Sequence, residues 1–218
     1  MHKKNFNFEN RIPILTDYVN KVITDPPGEP TSGVPYVYND YGYRSFQKYE
    51  KLLDVKDKIV TIGCSFTFGI GLHLEETWPT HLSALLDRPV LNLSLPGASH
   101  GYVIWQLLNT LRNVQTENIF IVIPPKGRLF QLTEYDFENV NRLEGFDNIE
   151  TRCVLENAEN DDLLLKSLCT YNNIPYIECY QYGQPYHEKW LPPARDGGHF
   201  GERWNEFIAK EFYKIIEK

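Results

Sequence analysis

The sequence predicts an α/β protein, a three-layer α/β/α sandwich built on a central, mostly parallel sheet. Three observations lead there. Short apolar runs rich in β-branched residues recur at Ile59–Ile62, 90–93, Asn118–Ile123 and 175–179, each of strand length. Stretches with apolar residues three and four apart fall at 75–86, 101–112, 154–171 and 201–216, the spacing of amphipathic helices. The two kinds of segment alternate, and β-α alternation gives parallel strands joined by right-handed crossovers, with helices on both faces.

Composition narrows the class. A chain of 218 residues, 42% hydrophobic and 23% charged, matches a soluble globular protein with one good-sized core. Its net charge of −7 argues against a nucleic-acid groove or a polybasic membrane surface. No apolar run reaches the length of a membrane span. The basic start, Met1-His2-Lys3-Lys4, is not followed by an apolar core, so no signal peptide is read and a cytoplasmic setting is expected. The cysteines at 64, 153, 169 and 179 show neither metal-ligand spacing nor a small disulfide framework. Reduced thiols are the expectation. Oligomeric state is not encoded in any of these features.

Each element has its own signal. Residues 1–35 read as an extension wrapped on the core, with Pro/Gly clusters after residue 25 and one short helix within 12–23. The domain proper is expected over 36–218. It opens with aromatic strand-like residues around the turn Asn39-Asp40-Tyr41-Gly42, the mark of a packed hairpin or lid edge. Ile59–Ile62 is apolar without alternation, hence a buried strand. In the helix at 75–86, Thr77 suits the N-cap and Pro79 the first turn. Leu82, Leu85 and Leu86 give that helix its apolar face, and His81 reads as a surface or packing residue. The strand at 90–93 runs into the small-residue loop Ser94 to Ser99. The following helix is expected to bury Val103, Ile104, Leu107, Leu108 and Leu111. Asn118–Ile123 is the most apolar strand and belongs in the sheet centre, stopped by Pro124-Pro125. Residues 130–152 read as an irregular surface excursion. A helix over 154–171, a strand over 175–179, a proline-rich loop over 180–193 and an amphipathic helix over 201–216 complete the chain.

The first strand ends on Gly63-Cys64-Ser65, a tight turn that presents a hydroxyl at the carboxyl end of a parallel strand, where open α/β sheets bind ligands. Three readings are open for this turn alone. Ser65 is a nucleophile needing a base and an orienting acid; the loop is a phosphate or flavin cradle built on N–H groups and hydroxyls; or it is a turn and helix cap. The stretch Asp196-Gly197-Gly198-His199 bears on the choice. An acid and an imidazole three apart on a glycine loop can bond to one another, the orienting role of the acid in a Ser-His-Asp triad. A plain turn former beside a helix start is the other reading of that loop.

Taken together, Gly63-Cys64-Ser65-Phe66-Thr67-Phe68-Gly69 resembles the first motif of the SGNH/GDSL hydrolases, and Asp196-Gly-Gly-His199 resembles their Asp-x-x-His motif. Asn92-Leu-Ser-Leu-Pro-Gly97-Ala-Ser99 is similar to the second motif, whose glycine N–H serves the oxyanion hole, and Asn39 to Arg44 is similar to a segment found upstream of the serine in several branches. The resemblance spans residues 36 to 217 and implies a flavodoxin-like SGNH fold. Two departures stand out. Cys64 replaces the usual aspartate, at a position outside the triad; Cys64 as nucleophile is a minor alternative. The third motif, Gly-x-Asn-Asp after the central strand, has no match; Pro124-Pro125-Lys126-Gly127-Arg128 occupies its place. Arg128, with Lys126 beside it, is the nearest candidate to replace the missing oxyanion donor.

By this resemblance the function is ester hydrolysis. His199 takes the proton of Ser65, Asp196 orients His199, and the N–H groups of Ser65 and Gly97, with Arg128, stabilise the oxyanion. The chemistry calls for no metal and no organic cofactor. The implied substrate is a small-molecule or carbohydrate ester, first of all an O-acetyl group on a sugar. The alternatives are acyl transfer on the same triad, a non-catalytic module of the same fold, and a flavodoxin-like binding protein.

Overall fold

The computed structural model describes residues 6–7, 12–25, 32–116, 118–125, 128–132, 137–141 and 149–217. Its framework is one four-stranded, all-parallel sheet built from β5 (Ile59–Ile62), β6 (Val90–Asn92), β7 (Asn118–Ile123) and β10 (Tyr176–Glu178). The order across the sheet is β10-β7-β5-β6. From β5 the chain goes first to one side, then back past β5 to β7. The sheet therefore has a switch point between β5 and β7, where doubly wound sheets open a crevice beyond the strand ends.

Helices cover both faces. On one, α3 (Trp78–Leu86) packs against α6 (Glu202–Ile216); on the other, α4 (His100–Asn113) packs against α5 (Ile149–Tyr171). These pairs form the outer layers of the expected sandwich. All four residues of β5 and five of the six in β7 are buried, as central parallel strands must be. Trp78 and Phe212 pack with ring centroids 5.1 Å apart, and Phe120 of β7 meets Phe212 edge-on at 5.2 Å. On the other face, Lys166 of α5 reaches Asp162 at 3.1 Å and Glu178 at 2.9 Å.

Several expectations are corrected. No helix forms within 12–23. That segment holds β2 (Ile14–Leu15), which pairs antiparallel with β1 (Phe6–Asn7), then a turn through Asn20 at φ 53, then β3 (Val22–Thr24). β3 is β-branched throughout and pairs antiparallel with β4 (Pro35–Val37), a pairing that suits such side chains better than a helix does. Ile12 and Leu15 are buried in the main apolar cluster. A one-turn helix, α1 (Tyr49–Leu52), precedes β5 and is capped from a distance by Asp40, which accepts from the N–H groups of Tyr49 and Glu50. Thr77 sits at the N-cap of α3 with Pro79 in the first turn, but its hydroxyl donates to Leu74 O at 2.8 Å instead of accepting from the helix. Leu85 and Leu111, expected on buried faces, are 42% and 41% exposed.

Within the excursion at 130–152 the backbone forms an antiparallel hairpin of β8 (Arg128–Leu132) and β9 (Phe137–Asn141), with β8 running beside α4 and α5. α5 then begins at Ile149, five residues before the expected start. The Arg128 side chain and Lys126 lie outside the described residues.

Candidate active site

The site is built on the turn that follows β5. Gly63 permits the turn because a Cβ there would lie 2.1 Å from Thr67 Oγ1 and 2.9 Å from the Val122 carbonyl of β7. Any larger residue would drive β5 and β7 apart at their carboxyl ends. Cys64 is extended, at φ −104 and ψ −154, and Ser65 opens a one-turn helix, α2 (Ser65–Phe68), closed by Gly69 in the left-handed region. As the first helical residue, Ser65 has an N–H with no acceptor inside the helix. Its side chain is buried, and its Oγ has no hydrogen-bond partner among the described residues.

The second loop docks directly on this turn. Leu95 N–H donates to Gly63 O at 3.3 Å, and Gly97 is buried with φ 73. Asn92, at the end of β6, holds the loop from below. Its Oδ1 accepts from Thr61 Oγ1 at 3.1 Å and from Ser94 Oγ at 2.6 Å, and its Nδ2 donates to Thr67 O at 3.3 Å. Asn92 is thus a brace between the two loops.

The acid and base come from the loop before α6. Asp196 Oδ2 lies 2.5 Å from His199 Nδ1, and His199 N–H donates to Asp196 Oδ1 at 3.3 Å. Gly197 at φ 71 and the bond from Ala194 N–H to His199 O, 3.0 Å, close the loop on itself. The Asp196 side chain is fully buried; that of His199 is 14% exposed. Burial by itself disfavours the Asp196 charge, but the hydrogen bond and charge of His199, with the N–H groups of Gly198 and His199, outweigh it and hold the carboxyl below its ordinary value. A carboxylate bonded to Nδ1 leaves Nε2 as the nitrogen able to accept a proton.

This loop is bolted to the serine turn. Arg195 N–H donates to Gly71 O at 3.0 Å, and a Cβ on Gly71 would come within 2.6 Å of Asp196 Oδ1. The Arg195 guanidinium forks onto Glu76 at 2.5 and 2.7 Å. Phe66, next to Ser65, lies 5.0 Å from the His199 ring and 5.1 Å from Phe200, which stacks on Trp204 at 4.3 Å. The Ser65 turn and the His199 loop are therefore neighbours joined through Phe66, whose ring packs with the buried rings of Phe200 and Trp204. No hydrogen bond joins the side chains of Ser65 and His199. Gly97 lies on the loop docked against the turn.

Arg44 is a residue that sequence reasoning passes over. It is buried, and its guanidinium donates to Phe68 O at 2.9 Å, to Gly69 O at 2.5 Å and to Leu72 O. It also lies over the Tyr36 ring at 4.4 Å. Burial lowers its pKa to about 10, against the opposing pull of Tyr36, Tyr38, Glu75 and Glu76. Arg44 thus organises the chain leaving α2. The available signal was its place at the end of Asn39-Asp-Tyr-Gly-Tyr-Arg44, where Asn39 Oδ1 folds the turn by accepting from the N–H groups of Tyr41 and Tyr43.

No family model matches the sequence, and no curated protein is similar to it at a significant level. Among solved structures the chain is similar to the psychrotrophic esterase EstA from Pseudoalteromonas sp., at 14% identity and a TM-score of 0.43, over 74% of this chain and 97% of that one. It is also similar to a lipolytic protein of the G-D-S-L family from Veillonella parvula, at 14% identity and a TM-score of 0.41, over 74% and 98%. A third is a GDSL-like lipase from Bacteroides thetaiotaomicron, at 12% identity and a TM-score of 0.38, over 73% and 89%. No helix among the described residues is long and apolar enough to cross a membrane.

Proposed function

We propose that the chain is a serine ester hydrolase in which Ser65 is the nucleophile, His199 the general base and Asp196 the residue that orients it. The observation that carries this reading is the 2.5 Å contact between a fully buried Asp196 carboxylate and His199 Nδ1, on a loop bolted to the Ser65 turn. A carboxylate buried against an imidazole fixes its tautomer and stabilises the imidazolium formed as a hydroxyl gives up its proton. Ser65 Oγ attacks the acyl carbon, His199 Nε2 takes its proton and passes it to the leaving alcohol, and water reverses the sequence to free the acid. The N–H groups of Ser65 and Gly97 receive the oxyanion, with Arg128 as the third donor in place of an asparagine. The net charge of −7 and the 14 tyrosines and 4 tryptophans of the chain support an O-acetylated sugar or a small ester as the substrate.

A second reading, a non-catalytic module, draws on the absence of a Ser65–His199 hydrogen bond among the described residues. Unliganded catalytic pairs are often loose and tighten on substrate, so labelling separates the two. Wild type is expected to hydrolyse p-nitrophenyl acetate and to be labelled by a fluorophosphonate. Ser65→Ala is expected to abolish both, and His199→Ala to lower turnover by about 10³-fold or more. Arg128→Ala is expected to cost on the order of 10²-fold. A folded wild type that neither turns over nor labels makes the module the better reading.

A further inference from the structure

We propose that His81, Glu202 and Glu206 form a binding site for a zinc-class divalent ion, bridging α3 and α6 with residues that take no part in the serine chemistry. His81 lies one turn after the buried Trp78 on α3, and Glu202 and Glu206, four apart, share a face of α6. One ligand atom from each of the three lies within 4.8 Å of the others. Zinc holds imidazole nitrogen and carboxylate oxygen at about 2.0–2.2 Å, which sets neighbouring ligand atoms about 3.3 Å apart. Closing the set asks for shifts of about 1 Å, within the reach of glutamate side chains moving between rotamers.

His81 Nε2 makes the case more than a pair of acids would. It is shielded from solvent and has no hydrogen-bond partner among the described residues. A shielded ring nitrogen without a partner is costly, and a metal ion held by Nε2 would satisfy it. The carboxylates have ordinary explanations: Glu202 is an acid in the first turn of α6, and Glu206 pairs with Lys210 at 3.4 Å. Neither explanation reaches the imidazole. The Lys210–Glu206 pair is about half exposed on both sides, the kind of contact that holds weakly and gives way. One nitrogen and two oxygens suit zinc and its first-row neighbours better than calcium or magnesium, which favour all-oxygen shells. The site borders a surface depression lined also by Ala84 and Leu85, which leaves a coordination position open to water.

The test is zinc titration of the full chain after dialysis against EDTA, by calorimetry and thermal melting, with cobalt(II) as a spectroscopic substitute. Wild type is expected to bind one zinc ion and to melt about 5 °C higher with the metal in hundredfold excess over its dissociation constant. Cobalt is expected to show the intense visible bands of a four-coordinate site. Glu202→Gln/Glu206→Gln, which keeps the side-chain shapes, and His81→Ala are each expected to weaken binding at least tenfold. His187→Ala, at an exposed histidine elsewhere, is expected to leave it unchanged. Absence of saturable one-to-one binding, or binding retained in the double glutamine variant, overturns the proposal.

Discussion

Asp196 has its charge shut from water and answered by one imidazole and two backbone N–H groups. Its carboxyl is held below the ordinary value, so the charged form is the one folding favours. The stability this gives is present above the pKa of the unfolded carboxyl and is lost as pH falls through the lowered folded value. Asp196→Asn removes that dependence. The difference in urea midpoint between wild type and Asp196→Asn is expected to shrink as pH falls below about 4. A difference that stays flat to pH 3 rules out a carboxylate held in this way. In activity, the same variant is expected to lose about 10²- to 10⁴-fold in kcat, as an imidazole in the wrong tautomer does. The turn at Ser65 and the contact of Asp196 with His199 were legible because their signals are local, a glycine-flanked hydroxyl after a strand and an acid three residues before a histidine. Arg44 was not. Its partners are carbonyls of residues 68, 69 and 72, and a carbonyl is offered by every residue, so no residue type advertises it.

At the scale of the element, α2 and the chain leaving it are held less by their own propensity than by what surrounds them. A helix of four residues is too short to stand by itself and too short to leave a periodic trace, which is why the sequence read only a turn there. β2 and β3, of two and three residues, escaped for the same reason. What fixes α2 is Gly69 at its end, Asn92 beneath it and the Arg44 fork beyond it. Arg44→Met keeps the volume and strands the carbonyls. It is expected to lower the thermal midpoint by about 5–10 °C, since bonds from a charged donor to buried acceptors are among the stronger ones. Arg44→Lys is expected to recover only part of this, because one ammonium cannot reproduce a planar fork spanning three acceptors. A melting curve for each variant decides it; equal stability for Arg44→Met and wild type would reduce the clamp to a passive neighbour. The helices α3, α4 and α6 were found because each runs two turns or more with an apolar side, although Leu85 and Leu111 fall outside the buried faces.

For the whole molecule, alternation of strands and helices gave parallel pairing and covered faces, but not the order β10-β7-β5-β6. That order depends on which side of β5 each crossover lands, a choice made by packing between elements far apart in the chain. Phe212 sits where this choice is sealed, against Phe120 of the sheet and Trp78 of α3. Phe212→Ala is expected to cost about 3–5 kcal/mol and to lower the midpoint by about 10 °C, with Phe212→Leu between it and wild type. A loss under about 1 kcal/mol would mean that the α3–α6 layer closes without it. The proposed nucleophile and its base stand more than half the sequence apart, and the base reaches the crevice only on the loop that α6 anchors. Such distant closures come late and slowly. The strands at the centre can pair while the histidine is still elsewhere, so a half-folded copy carries the hydroxyl without the partner that would make it reactive. On the proposed mechanism the chemistry would be switched on only by the completion of the fold, and a misassembled chain would stay harmless to the esters around it.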